Sequence, residues 1–102
     1  MPKQALESLT ETMFYVLMAL YRSEKCGIDI AAWIEERTKG RLSLGPATLY
    51  TILAKFEKEK FIRETKVEGR KRTYAITDHG RQAYRDELDR LTLCLEDGRT
   101  VL

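Results

Sequence analysis

With 102 residues, 43% of them hydrophobic and 33% charged, the chain has the size and composition of one small globular domain, enough for a single modest core that buries roughly two-thirds of the unfolded surface. The apolar run ending at Tyr21 is far too short to cross a bilayer, and Met1 to Thr10 contains no apolar leader, so a cytoplasmic protein with no membrane attachment is expected. Two distant cysteines, Cys26 and Cys94, and one histidine, His79, exclude a disulfide framework and offer no spacing for a metal, so no metal and no other cofactor is expected.

The net charge of +2 is unevenly spread. Residues 37–73 hold 11 Lys and Arg against 4 Glu, for +7, whereas residues 1–36 carry −3 and residues 74–102 carry −2. A cationic middle between acidic ends implies one face built for an anion, and nucleic acid is the commonest such partner. An anionic membrane surface fits less well, because the cations share no helix with an exposed apolar stripe.

In chain order, Ser8-Leu9-Thr10-Glu11 has the spacing of a capping box and predicts a first helix from about Ser8 to Arg22. Met13, Phe14, Val16, Leu17, Met18, Ala19 and Leu20 cover more than one of its faces. A helix apolar on two sides must be covered on two sides, and in so small a domain a second subunit is the expected second cover. A polar turn over Ser23–Gly27 leads to a second helix from about Gly27 to Thr38, with Ile28, Ala31, Ala32 and Ile34 as its inner stripe and Gly40 as its left-handed cap. Trp33 on that helix reads as a packing residue, or alternatively as a ligand-stacking or dimer-contact residue. Arg41–Leu44 is a connection or one strand of a small sheet.

Pro46 lacks the amide that a first helical turn leaves unpaired, so Gly45-Pro46 opens a third helix. Leu49, Ile52, Leu53 and Phe56 form its inner face. Thr48, Thr51, Lys55 and Lys58 form its outer face, with Tyr50 at the edge, and such side chains donate to phosphates or base edges. The period then falls to two. Phe61–Val67 and Thr73–Thr77 are β-branched and aromatic runs flanking Glu68-Gly69-Arg70-Lys71-Arg72, with Gly69 suited to a tight turn. Three adjacent cations at a hairpin tip are either a solvated turn or a contact with a polyanion. A last helix starts at Thr77 or Asp78. Its apolar positions Tyr84, Leu88, Leu91 and Leu95 have the spacing of a coiled-coil seam, and Gly98 is expected to end its order.

The expected fold is therefore mainly α with a small β-hairpin wing: a winged helix-turn-helix over residues 1–77 with a C-terminal dimerisation helix and short tail over 78–102, joined in one compact unit. Its expected role is DNA binding by the third helix and the wing. Met13, Phe14 and Leu17 with Tyr84, Leu88, Leu91 and Leu95 are the candidate dimer contacts. Phe14, Tyr15, Met18 and Trp33 are candidates for a pocket that takes a small hydrophobic effector. A winged helix that binds an acidic protein is the alternative, although such a module would more often place apolar anchors on the outer face of the third helix. Catalysis is not expected, since the one histidine has no nucleophile or orienting partner in any known spacing.

The stretches Thr10–Leu20, Cys26-Gly27-Ile28-Asp29-Ile30, Leu44-Gly45-Pro46-Ala47-Thr48-Leu49-Tyr50, Gly69–Thr77 and Gly80-Arg81 resemble the PadR family of bacterial transcriptional regulators over about residues 6–95. The Leu-Gly-Pro-x-Thr-Leu-Tyr stretch is the most specific of them. The resemblance implies a homodimer whose last helix contacts the partner's first helix. It also implies repression at a near-palindromic operator, and in some members release by a small molecule. It carries DNA-facing roles to Pro46, Ala47, Thr48, Tyr50, Thr51 and Lys55, and to Gly69, Arg70, Lys71 and Arg72. The single C-terminal helix is similar to the short-tailed branch. Two positions depart from the family. Lys60 stands where a glycine usually follows the third helix; a left-handed lysine costs on the order of 1 kcal/mol, so a reshaped turn and a tilted wing are expected. Cys26 stands where a histidine often precedes the second helix, which removes a group for pH or metal sensing.

Overall fold

A computed structural model describes residues 8–102. The expectation of no apolar leader falls in part on residues 1–7, outside that range. The element order is α1 (Glu11–Leu20), β1 (Lys25–Cys26), α2 (Gly27–Arg37), α3 (Pro46–Lys58), β2 (Ile62–Glu68), β3 (Lys71–Ile76) and α4 (Asp78–Arg99). The three strands form one antiparallel sheet in the order β1-β3-β2. Four helices with a small antiparallel sheet make a winged helix, as the sequence pattern predicts.

Helix α1 is the centre of the core. Val16, Leu17, Ala19 and Leu20 are almost wholly buried, and α2, α4 and β3 of the same chain all pack on this helix. Met13, Phe14 and Leu17 are thus covered from within, so a second subunit is not needed to cover them, whereas Thr12, Tyr15 and Met18 stay half-buried. The cap is Thr10 rather than Ser8. The Thr10 hydroxyl accepts from the Met13 amide at 3.1 Å, and with Met13 three residues on, no carboxylate closes a box.

The inner stripe of α2 is Gly27, Ile30 and Ile34, with Ala31 partly buried. Ile28 and Ala32 face outward, because the stripe is set by Ile30 and Ile34 at i, i+4. Lys39, not Gly40, is the residue just past the cap, and both have positive φ, 54° and 80°. The third strand is β1, paired through Lys25 to Tyr74 and Cys26 to Thr73; Arg41–Leu44 is not a strand.

Helix α3 starts at Pro46, and Leu49, Ile52, Leu53 and Phe56 are its buried face. It ends in a Schellman turn despite Lys60. The Phe61 amide donates to the Phe56 carbonyl at 2.9 Å and the Lys60 amide to the Glu57 carbonyl at 3.0 Å, with Lys60 at φ 66°. The rings of Phe56 and Phe61 lie 5.7 Å apart and both are buried, so their contact holds the lysine in the left-handed region. The turn therefore keeps the shape a glycine would give.

Thr77 caps α4 by accepting from the Gly80 amide at 3.0 Å. The helix continues through Gly98 to Arg99. One glycine costs a helix about 1 kcal/mol, too little to stop 22 residues, so order does not end there.

Candidate nucleic-acid interface

The outer side of α3 is open. Pro46, Ala47, Thr48, Thr51, Lys55 and Lys58 are exposed, and no acidic residue lies in the first turn. The positive end of the helix dipole is therefore presented without an opposing charge. Thr51 donates back to the Ala47 carbonyl at 2.9 Å, which engages its hydroxyl within the helix. Tyr50 is 46% exposed and leans across to α2: a Cβ at residue 27 would lie 2.7 Å from its phenol oxygen. A side chain at 27 would push this ring aside.

The wing turns at Gly69, with φ 63°, and Arg70 follows it in the turn. Lys71 and Arg72 belong to β3 rather than to the turn. Arg70 and Lys71 project without partners, whereas Arg72 is engaged. Its guanidinium lies 3.3 Å from Glu64 Oε2 and against the Tyr74 hydroxyl. Among the described residues Lys55, Lys58, Arg70 and Lys71 make no ion pair. At the wing tip Arg72 is thus held while Arg70 and Lys71 are not, and Tyr50 is the α3 side chain that lines a cleft with all three. Arg41, also in the cationic stretch, is spent elsewhere: it bonds Glu11 at 2.6 Å and the Tyr15 hydroxyl at 3.1 Å.

Pattern reading missed Arg63 and Lys66, which stand exposed on β2. A bulge between Glu64 and Lys66 breaks the alternation there, and the extra residue, Thr65, donates to Glu24 at 2.7 Å. A two-residue β1 is too short to show any period.

Two other predicted groups change composition. Met13, Phe14 and Leu17 are covered by their own chain, at 7%, 8% and 0% exposure, and so are core residues rather than spare surface. On α4 the apolar side chains Leu88, Leu91, Leu93 and Leu95 are uncovered, with half-buried Tyr84 at their head. Of the four residues read as an effector pocket, Met18 and Trp33 line a cleft of about 680 Å³ together with Tyr21, Lys25, Arg37, Tyr84 and Leu88. Phe14 is absent from it because Tyr84 stacks over its ring at 4.9 Å. Tyr15 is absent because it lies under Arg41. Trp33 sits between Lys25 and Arg37, each 5.7 Å from its ring. Burial holds the Lys25 ammonium below its usual pKa, with nearby Asp29 opposing the shift, and pushes the Tyr84 phenol up.

Among the described residues no three His, Cys, Asp or Glu side chains gather where a metal could bind, and no helix is long and apolar enough to cross a membrane.

A sequence model of the transcriptional regulator PadR-like family matches residues 16–86, more than half of the chain. The chain belongs to the PadR-like family. Solved structures agree with this assignment. A transcriptional regulator from Clostridium thermocellum superposes with a TM-score of 0.79 at 24% identity, over 86% of this chain and 89% of that one, and so shares the fold. PadR from Bacillus subtilis, solved in complex with operator DNA, superposes at 0.68 with 28% identity over 78% of this chain. The present chain spans 47% of that protein's length. A PadR-family regulator from Clostridium difficile shares the fold at 0.77 with 14% identity, over 90% and 98% of the two chains. No curated protein matches. As a PadR-like protein the chain is a transcriptional regulator, a class of binding proteins rather than enzymes.

Proposed function

We propose that this PadR-like regulator binds duplex DNA as a homodimer and represses transcription at a near-palindromic operator. Residues 1–77 form the DNA-binding part and 78–102 the dimerisation helix and tail. Each protomer lays α3 in the major groove, with Thr48 and Thr51 toward base edges, and sets Arg70 and Lys71 on the phosphates. The observation that carries this reading is the open outer side of α3, with no acid in its first turn, together with two wing cations, Arg70 and Lys71, that make no ion pair among the described residues. The DNA complex of the Bacillus subtilis protein supports it. The exposed Leu88, Leu91 and Leu95 of α4 support pairing of two copies, since a seam so spaced needs a cover. The half-open side of α1, Thr12, Tyr15 and Met18, is the surface left for the partner's α4.

The effector, in this reading, is a small hydrophobic compound that enters the cleft at Trp33, between α1, α2 and α4. Its binding there would shift the helix that sets the dimer angle. Titration of Trp33 fluorescence with planar hydrophobic compounds tests it, and no change with any of them would remove the cleft from the account.

Gel shifts with genomic fragments test the DNA reading. Binding that weakens on every fragment in the Arg70→Ala/Lys71→Ala variant is expected; retardation of no fragment at low salt by the unaltered chain would defeat it.

A further inference from the structure

A second cleft, of about 370 Å³, opens between the first turn of α2, Tyr50 of α3 and the wing tip. Ile28 stands at its edge with 77% of its surface exposed, more than any other large apolar side chain among the described residues except Val101 and Leu102 at the C-terminus. It contributes nothing to the core, whose α2 members are Ile30 and Ile34. The rest of the lining is mixed. The Tyr50 ring crosses Gly27 and brings its hydroxyl to the start of α2, while Arg70, Lys71 and Arg72 close the far side. Asp29 also borders the cleft. Its carboxylate accepts the Cys26 thiol at 3.3 Å and lies near Lys25, which offsets its charge.

An apolar side chain beside cations suits a partner that alternates apolar and anionic groups. The backbone of a nucleic acid is narrow and alternates sugar with phosphate.

We propose that this cleft seats one sugar–phosphate unit of duplex DNA, with a deoxyribose on Ile28 and the Tyr50 ring and the adjoining phosphate held by the Tyr50 hydroxyl, Arg70 and Lys71. The inference rests on the DNA-binding reading and extends the interface to a third element, the start of α2. It gives Tyr50 a different role from Thr48 and Thr51: it fixes the backbone while they face the bases. It also makes Ile28 a contact residue and accounts for its exposure.

The test uses a random-sequence duplex of about three helical turns, with the dependence of affinity on salt as the readout. Ile28→Lys adds a cation at the phosphate and should steepen the slope of log affinity against log salt by about 0.9. Ile28→Glu should weaken binding at low salt. Ala32→Lys, exposed one turn further along α2 and outside the cleft, should match the unaltered chain. Tyr50→Phe keeps the ring on Gly27 and removes only the hydroxyl; it should lose about 3- to 10-fold in affinity with the slope unchanged. Equal slopes for Ile28→Lys and Ala32→Lys, or full affinity in Tyr50→Phe, would overturn the proposal while leaving DNA binding intact. Failure of the unaltered chain to bind the duplex at low salt would overturn the underlying reading instead.

Discussion

Gly80, in the first turn of α4, lies directly against the carbonyl of Phe61: a Cβ at residue 80 would come 2.1 Å from that oxygen. The same carbonyl accepts from the Thr77 amide at 2.9 Å and from the Thr77 hydroxyl at 3.1 Å. The start of the C-terminal helix is thus fixed to the strand that carries the wing, and the closeness of Gly80 makes the fit possible. Gly80→Ala must push the two backbones apart. It should destabilise the chain by roughly 2–4 kcal/mol in urea unfolding, well beyond an ordinary surface change. Gly98→Ala, with open space around it, should be neutral to stabilising.

Lys60 invites the opposite change. Its φ of 66° is strained for a side chain, and a glycine there relieves the strain while the Phe56–Phe61 contact keeps the turn. Lys60→Gly should raise stability by up to about 1 kcal/mol, read from the urea midpoint at unchanged slope. A loss of stability would mean that the lysine makes a compensating contact.

Glu87 is the one charged residue buried on α4, at 4% exposure. Arg90 hydrogen-bonds it, and the backbone of Leu9, on the approach to α1, also favours its charged form. The Arg90 bonds, chiefly, hold this carboxyl below its usual value of 4.5, although burial pushes the other way. Its ionised form therefore stabilises the fold fully above the unfolded value, and the contribution disappears as pH falls through the lower folded value. Glu87→Gln should cost about 1 kcal/mol at neutral pH, and the gap to the unaltered chain should close as pH drops below about 4.5. A gap that stays constant with pH would show that the charge of Glu87 is not what stabilises the fold.

On the wing, Arg72 should behave unlike its neighbours. Arg70→Ala and Lys71→Ala should each flatten the salt dependence of DNA binding by about 0.9. Arg72→Ala should flatten it less and destabilise the fold by about 1 kcal/mol, because Glu64 Oε2 is buried and has that guanidinium as its counter-charge. Equal slopes for all three variants would show that Arg72 leaves Glu64 for the phosphates.

Much of this was legible in the sequence because local rules and tertiary contacts agree. Pro46 at the first turn, the Leu49–Phe56 face of α3, the Thr77 cap and the Gly69 turn each follow from a short stretch of residues, and each stands in the structure as expected. What local pattern could not give depends on a distant partner. The two-residue β1 exists only because Tyr74 and Thr73 lie beside it. Phe14 reads as spare surface of α1 until α4 folds back over it through Tyr84. Arg72 reads as a free cation until the bulged strand brings Glu64 beneath it. Ile28 shows the same limit from the other side: an isoleucine at the start of an amphipathic helix scores as core, and only the packing of α2 reveals that it points outward.

The central claim is that two copies, joined through α4, grip consecutive turns of one duplex. Hydroxyl-radical footprinting on a retarded genomic fragment, with the unaltered chain beside Leu91→Glu/Leu95→Glu, measures it most directly. Both changed residues are exposed in the single chain, so the variant should fold and remain monomeric. The account predicts two protected patches centred about one helical turn apart for the unaltered chain and their loss in the variant. A single protected patch, or the same paired footprint from the variant, would contradict it.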